Sequence, residues 1–285
     1  MNEEIIFVYG TLMSGETNSH YLDNSKKIGN GYIDGYQLLQ LDGYPGIIPG
    51  EGRVSGELYI VDEKTKEQLD ILEGDEYHYS TGMIDCDNKL IEARFYEFIP
   101  LDEVEYYPAY TLNHRWVDIS HYVWYACYGS NLLDDRFNIY ISRTSSKQTP
   151  LDSKSIILPY DLYFAKVSHK WNNQGVAFVD TDVQGESYGW MYLITKEQYE
   201  EVKEMEGSWY NRLVKVRTDK LGIDILTFTA PYRFDEVSPS QDYIEVIGAG
   251  LKEKYHMKNE DIDEYLGVKG YDYSYQHIQN ILKDK

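Results

Sequence analysis

The chain has 285 residues, 42% hydrophobic and 26% charged, an ordinary globular composition with length for about two domains. A net charge of −21 excludes the cationic surface needed to displace counterions from nucleic acid or to settle on an anionic membrane, so neither is an expected partner. No apolar run is long enough to span a bilayer, the opening MNEEIIFVYG is acidic where a secretory signal is basic, and Cys86 and Cys127 are too few for a disulfide framework; a reducing, cytoplasmic setting is expected.

In chain order, Glu4 to Tyr9 (EIIFVY) reads as a short buried strand that ends at Gly10-Thr11-Leu12. A polar loop with Ser14, Gly15, Glu16, Thr17 and Asn18 follows. Leu41 to Gly52 (LDGYPGIIPGEG) has the glycine and proline content of a loop that either lines a pocket mouth or joins strands. Gly56 to Gly74 (GELYIVDEKTKEQLDILEG) reads as strand, helix and a closing Glu73-Gly74, with Tyr77, His78 and Tyr79 behind it. Ile91 to Phe98 returns to strand. Residues 100–122 form an aromatic connection expected to pack on a domain.

The pattern then repeats. Val123 to Leu133 (VWYACYGSNLL) is again a strand, here with Tyr128-Gly129-Ser130-Asn131-Leu132 in place of Tyr9-Gly10-Thr11-Leu12. Gly189 to Gly207 (GWMYLITKEQYEEVKEMEG) lies on Gly56 to Gly74 without a gap. Thr195 is the expected N-cap and Gln198 completes a capping box. Tyr199, Val202 and Met205 share one helical face, and Gly207 is the expected left-handed stop. Trp209, Tyr210 and Arg212 follow; Ile223 to Thr229 is a strand, and Asp242 to Tyr255 and Asp261 to Leu282 read as helical. Two copies of strand, Tyr-Gly turn, strand, helix and Glu-Gly make a tandem repeat with domains at 1–118 and 119–285. The first carries 8 Lys+Arg against 23 Asp+Glu, net −15, which leaves −6 for the second.

A carboxylate at a helix exit is disfavoured by the helix dipole and by burial. Both raise its pKa toward the range of a neutral-pH proton carrier, which marks Glu73 and Glu206 as candidate general acid/base residues. The glycine after each tyrosine lets the backbone bend and leaves successive N–H groups to form a nest for a carboxylate. None of the seven histidines has metal-ligand spacing, so no metal site is expected. Gly248 and Gly250 read as close packing within a helix, and Cys127, matched by Val8 in the first copy, as a buried strand thiol.

With VYGTLMSGETN, GYPGI, GELY and LDILEG, the first copy resembles the gamma-glutamylamine cyclotransferase branch of the gamma-glutamylcyclotransferase and AIG2-like family. The second, with YACYGSNLL, GWMY, EMEG and Pro239-Ser240-Gln241-Asp242-Tyr243, resembles the gamma-glutamylcyclotransferase branch proper. The resemblance covers nearly all of both domains. It implies an α+β chain of two tandem domains, each a small mixed β-barrel with flanking helices. One departure is plain: the second copy has Tyr210-Asn211-Arg212 after its Glu-Gly, where the first has Tyr79-Ser80-Thr81.

The resemblance implies release of an amine, amino acid or peptide from a gamma-glutamyl compound with closure to 5-oxoproline. Glu73 and Glu206 would be the catalytic residues. Backbone N–H groups at Tyr9, Gly10, Thr11 and Leu12, and at Tyr128, Gly129, Ser130, Asn131 and Leu132, would hold a carboxylate or oxyanion. Tyr125, Tyr210 and Tyr243 would shape the second pocket. A small-molecule substrate is the expected partner, no cofactor is called for, and the oligomeric state is left open. Two other classes remain open: a non-catalytic binding protein in one or both domains, and another amine-releasing acyl-transfer enzyme on the same scaffold.

Overall fold

A computed structural model describes residues 3–283 and divides the chain into two compact units, 1–120 and 121–285. The first unit has strands β1 (Glu4–Val8), β2 (Lys26–Gln40) and β3 (Pro45–Val61), helix α1 (Glu63–Glu73), and strands β4 (Tyr77–Cys86) and β5 (Lys89–Phe98). Three two-residue strands complete it: β6 (Tyr107–Pro108), β7 (Thr111–Leu112) and β8 (Arg115–Trp116). Its strands run β3-β1-β5-β4-β2, and β2 pairs back onto β3, so the sheet closes into a five-stranded barrel. β1 pairs antiparallel with β3 and parallel with β5, which makes the barrel mixed.

From Ile5 to Val8 β1 is apolar because both its faces are covered. Phe7 points to one cluster with Ile33, Leu38, Ile47, Leu58, Phe95 and Trp116, while Ile6 and Val8 point to another with Leu12, Leu69 and Tyr96. Trp116 brings the aromatic connection into the first of these clusters, as its composition predicts. The stretch Leu41 to Gly52 differs from the expected loop: from Pro45 onward it is strand. Its glycines serve close packing, since a Cβ on Gly46 would lie 2.7 Å from the Phe98 ring and one on Gly52 2.6 Å from the Tyr36 carbonyl. Pro45 opens β3, and Pro49 sits beside the register shift between Asp34 and Tyr36 of β2.

The second unit contains β9 (Tyr122–Cys127), α2 (Asp134–Ile141), β10 (Asp152–Leu158), β11 (Asp161–Ser168), β12 (Gln174–Asp180) and β13 (Ser187–Thr195). It continues with α3 (Lys196–Met205), β14 (Arg212–Thr218), β15 (Asp224–Thr229), α4 (Gln241–Tyr255), α5 (Asn259–Leu266) and α6 (Tyr275–Leu282). Its main sheet runs β10-β13-β9-β15-β14, the same order as β2-β3-β1-β5-β4. The β2–β3 hairpin is matched by four strands, because the chain leaves the sheet after β10, forms the separate β11–β12 hairpin and returns as β13.

The long helical reading after residue 261 is interrupted. α5 ends at Leu266 with Gly267 as its cap, and Gly267 and Gly270 both have positive φ, so the backbone turns away before α6. Gly248 and Gly250 on α4 are packing glycines as expected: a Cβ would meet the Tyr273 ring at 2.1 Å and Leu132 at 2.7 Å respectively.

Candidate active sites

Glu73 is the last residue of α1, and Gly74 follows with φ +61, its N–H donating to Asp70 O. Only glycine adopts that conformation freely, so the stop is built as the sequence predicts. The second copy differs. α3 keeps the capping box of Thr195 and Gln198 but ends at Met205, and Glu206 is itself the cap residue in extended conformation. Gly207 has no positive φ; a Cβ there would lie 2.9 Å from the Trp209 ring, so the glycine is required by packing.

In the first unit, β1 delivers Tyr9-Gly10-Thr11-Leu12 to a cavity of about 310 Å³ that Glu73 also borders. Gly10 is needed for close approach, since a Cβ would stand 2.6 Å from the Pro45 ring. Met13 N donates to Gly10 O at 3.0 Å and Asn18 N to Thr11 O at 2.9 Å, so the turn is tied through its carbonyls. The N–H groups of Gly10, Thr11 and Leu12 donate to no other group among the described residues. The loop is anchored from behind by Glu57, which accepts from Ser14 N and Ser14 Oγ, each at 2.8 Å, and from Tyr59 OH at 2.9 Å. Lys27 and Arg115 reach the same carboxylate at 2.9 and 3.3 Å. Burial pushes Glu57 up, but the Ser14 N–H, Lys27 and the two hydroxyls outweigh it and hold the carboxyl down at about 2.

Glu73 has a single cause of shift: burial raises its pKa to about 7. Tyr9 does not present its hydroxyl to the cavity, because that group donates to Tyr96 O at 2.5 Å. Tyrosines that were not singled out for a role complete the lining. Tyr77 donates to Pro45 O at 3.0 Å and Tyr44 to Glu76 at 2.9 Å, with Tyr96 beside them. A signal for Tyr77 was available: it stands four residues after Glu73, as Tyr210 stands four after Glu206.

In the second unit, a smaller cavity of about 40 Å³ is bordered by Tyr125, Tyr128, Gly129, Ser130, Asn131, Glu206, Tyr210 and Tyr243. Asn131 Nδ2 donates to Glu206 Oε1 at 3.0 Å and to Tyr125 OH at 3.1 Å. Tyr128 repeats Tyr9, donating to Phe228 O at 2.8 Å. Tyr210 OH donates to Ala177 O at 2.8 Å, and its ring stacks on Phe178 at 4.7 Å. Tyr243 OH accepts from Ala177 N at 3.1 Å, and a Cβ on Gly129 would stand 2.9 Å from this hydroxyl, so the side chain lies close against the turn. Leu132 does not border the cavity; it packs against Gly250.

Burial raises Glu206 as it raises Glu73, but here four groups pull the other way: Arg136, the Asn131 hydrogen bond, Lys170 and the Tyr140 hydroxyl. Arg136, Tyr140 and Trp171 were not foreseen. The available signal was a cation on the apolar face of DDRFNIYI, where Arg136 and Tyr140 are one turn apart and both buried. Arg212, by contrast, lies off the site on Asp182 at 3.7 Å, so the Tyr-x-Arg departure of the first copy changes nothing in either cavity. Cys127 is a buried thiol that donates to Trp190 O at 3.4 Å, and burial pushes its pKa up, away from nucleophilic use.

A profile of the family described as "Gamma-glutamyl cyclotransferase, AIG2-like" matches residues 6–119. The chain is 43% identical over 84 residues to a putative gamma-glutamylcyclotransferase of Vibrio cholerae, covering 29% of this chain and 73% of that protein. It is 37% identical over 99 residues to one from Methanocaldococcus jannaschii, covering 33% and 82%. With the gamma-glutamylcyclotransferase family protein YtfP of Escherichia coli it shares 47% identity over 74 residues, which is 25% of this chain and spans 66% of the relative's length. The solved structure of YkqA from Bacillus subtilis aligns over 98% of both chains at 22% identity with a TM-score of 0.38. The chain belongs to the gamma-glutamylcyclotransferase, AIG2-like family.

Proposed function

We propose that the protein is a gamma-glutamyl cyclotransferase with one reaction site in each unit, at Glu73 and at Glu206. The observation that carries this reading is that each glutamate borders a cavity together with its own Tyr-Gly turn, although the two are far apart in sequence. The glutamate takes a proton from the substrate's α-ammonium. The freed amine attacks the γ-carbonyl carbon, a C–N bond forms, and the carbonyl oxygen becomes an oxyanion. The glutamate then returns the proton to the leaving nitrogen as its C–N bond breaks, and the ring nitrogen passes its second proton through the same carboxylate to the departing amine, yielding 5-oxoproline and the amine as its ammonium. A carboxyl pushed up to about 7 is matched to both transfers near neutral pH. Holding the bent substrate supplies the remaining acceleration by proximity, and the Gly10–Leu12 N–H groups suit the α-carboxylate or the oxyanion.

At the first site Glu76 adds a second carboxylate to the lining, which favours a cationic leaving amine such as a lysine or polyamine adduct. A second reading concerns the other half: a cavity of about 40 Å³ with the Tyr243 hydroxyl close against Gly129 favours a module that binds without turnover. A screen of gamma-glutamyl amines, amino acids and peptides for 5-oxoproline release tests the proposal. Release that depends on Glu73 or Glu206 supports it; no release from any of them ends it.

A further inference from the structure

We propose that Asn18 is a positioning residue of the first-unit site, holding Thr11 so that its side-chain hydroxyl joins its N–H as a donor to an anionic oxygen of the ligand. This rests on the reading of that site as a substrate pocket. Thr11 and Asn18 both border the cavity that Glu73 borders, and both are half-buried. Asn18 grips Thr11 twice: its backbone N–H donates to Thr11 O at 2.9 Å, and its Nδ2 donates to Thr11 Oγ1 at 3.0 Å. Each oxygen of Thr11 therefore already accepts a hydrogen bond. What Thr11 has left to give is hydrogen, since its N–H and its O–H meet no acceptor among the described residues. A hydroxyl that accepts from an amide is polarised toward donating, so it suits an anion better than an ammonium. The N–H and the O–H hang from adjacent carbons of one residue, which lets them converge on one carboxylate or one oxyanion.

The other ties of this loop lie away from the ligand. Ser14 is fixed on Glu57 through its N–H and its hydroxyl, and its carbonyl accepts from Arg115 Nη2 at 3.3 Å. Neither Ser14 nor Glu57 borders the cavity, whereas the Asn18 grip does. The second unit spends its asparagine differently. Its turn carries Ser130 where the first has Thr11, and the neighbouring Asn131 gives its Nδ2 to Glu206 and Tyr125. One half uses an amide to set the anion cradle, and the other uses one to hold the carboxyl group.

Turnover in the full chain carrying Glu206→Gln reports the first site alone. In that background Thr11→Val, Thr11→Ser and Asn18→Asp are assayed for 5-oxoproline release from gamma-glutamyl-ethylamide, which has one carboxylate. Thr11→Val removes the hydroxyl at nearly constant shape. Asn18→Asp replaces the amide donor with an acceptor, which captures the Thr11 hydrogen. Each is expected to lower kcat/KM by about ten- to a hundredfold, as the loss of a hydrogen bond to a charged group does. A loss carried by KM assigns the hydroxyl to the α-carboxylate, and a loss carried by kcat assigns it to the oxyanion. Thr11→Ser, which keeps the hydroxyl, should recover most of the loss. In the Thr11→Val chain, adding Asn18→Asp should cost little more, because Asn18 acts through the hydroxyl. An unchanged kcat/KM in Thr11→Val, or a loss as deep in Thr11→Ser, overturns the role of the hydroxyl. An unchanged Asn18→Asp, or one whose loss adds in full to that of Thr11→Val, overturns the role of Asn18. Melting curves check each variant, and Thr11→Ala replaces Thr11→Val if the latter does not fold. Should the parent chain release no 5-oxoproline, the cyclotransferase reading falls by itself. Calorimetric titration with 5-oxoproline then decides on Thr11 and Asn18: binding weakened at least about tenfold by Thr11→Val and by Asn18→Asp supports the proposal, and no binding or unchanged constants overturn it.

Discussion

Glu73 and Glu206 end segments that match position for position, yet they sit in different electrostatic surroundings. Around Glu73 there is a roomy cavity of about 310 Å³ and no cause of shift but burial. Around Glu206 the cavity is about 40 Å³, and Arg136, Asn131, Lys170 and Tyr140 all favour the ionised form against burial. Repetition preserved the position of the carboxyl group and left its neighbours free to diverge. The first half keeps its proton by dehydration alone; the second balances dehydration against a buried cation.

The comparison breaks most visibly at the glutamates. Glu73→Gln and Glu206→Gln are nearly isosteric, and each is expected to lower 5-oxoproline release from its own half by about 10²–10⁴-fold. The double variant should retain neither activity; assays on singles and double apportion turnover between the halves. The next largest effect is on stability. Because the folded first unit holds the Glu73 proton up to about 7 against an ordinary 4.5, the contribution is full below pH 4.5 and is lost as pH rises to about 7. The loss amounts to no more than about 3 kcal/mol, reduced by the partial exposure of the group. Denaturant titrations at pH 5 and pH 8 should show this fall in the parent, and Glu73→Gln should lack it.

Gly10→Ala sharpens the contrast between the two turns. Its Cβ meets the rigid Pro45 ring at 2.6 Å, whereas a Cβ on Gly129 meets the Tyr243 hydroxyl at 2.9 Å. Gly10→Ala should cost about 1–3 kcal/mol by overpacking and raise the KM of the first half; urea unfolding and substrate titration measure the two effects. The smallest change is Thr195→Ala, which removes the capping box of α3 and should cost about 1 kcal/mol, read as a lower melting temperature.

Much of this arrangement is legible in the sequence because it is local. The strand before each Tyr-Gly, the Thr195 cap and the Gly74 stop are set by residues within a few positions of one another. Where the reading failed, distant contacts decided. Glycine and proline in 45–52 suggested a loop, but those glycines make room for Phe98 and Tyr36 on other strands. Gly207 was read as a helix stop, while the space it leaves is filled by Trp209. Arg136 has only a local clue, its place on an apolar helix face, and its neighbour Trp171 lies 35 positions along the chain in another element.

The open end of the second sheet has a consequence for association between molecules. Among the described residues, β14 pairs only with β15, so its outer backbone groups are available to a strand from another chain. The barrel of the first unit has no such rim, because β2 closes onto β3. β14 carries Arg212, Lys215 and Arg217 in seven residues. Charged side chains along an edge strand are the kind that discourage edge-to-edge pairing with another chain.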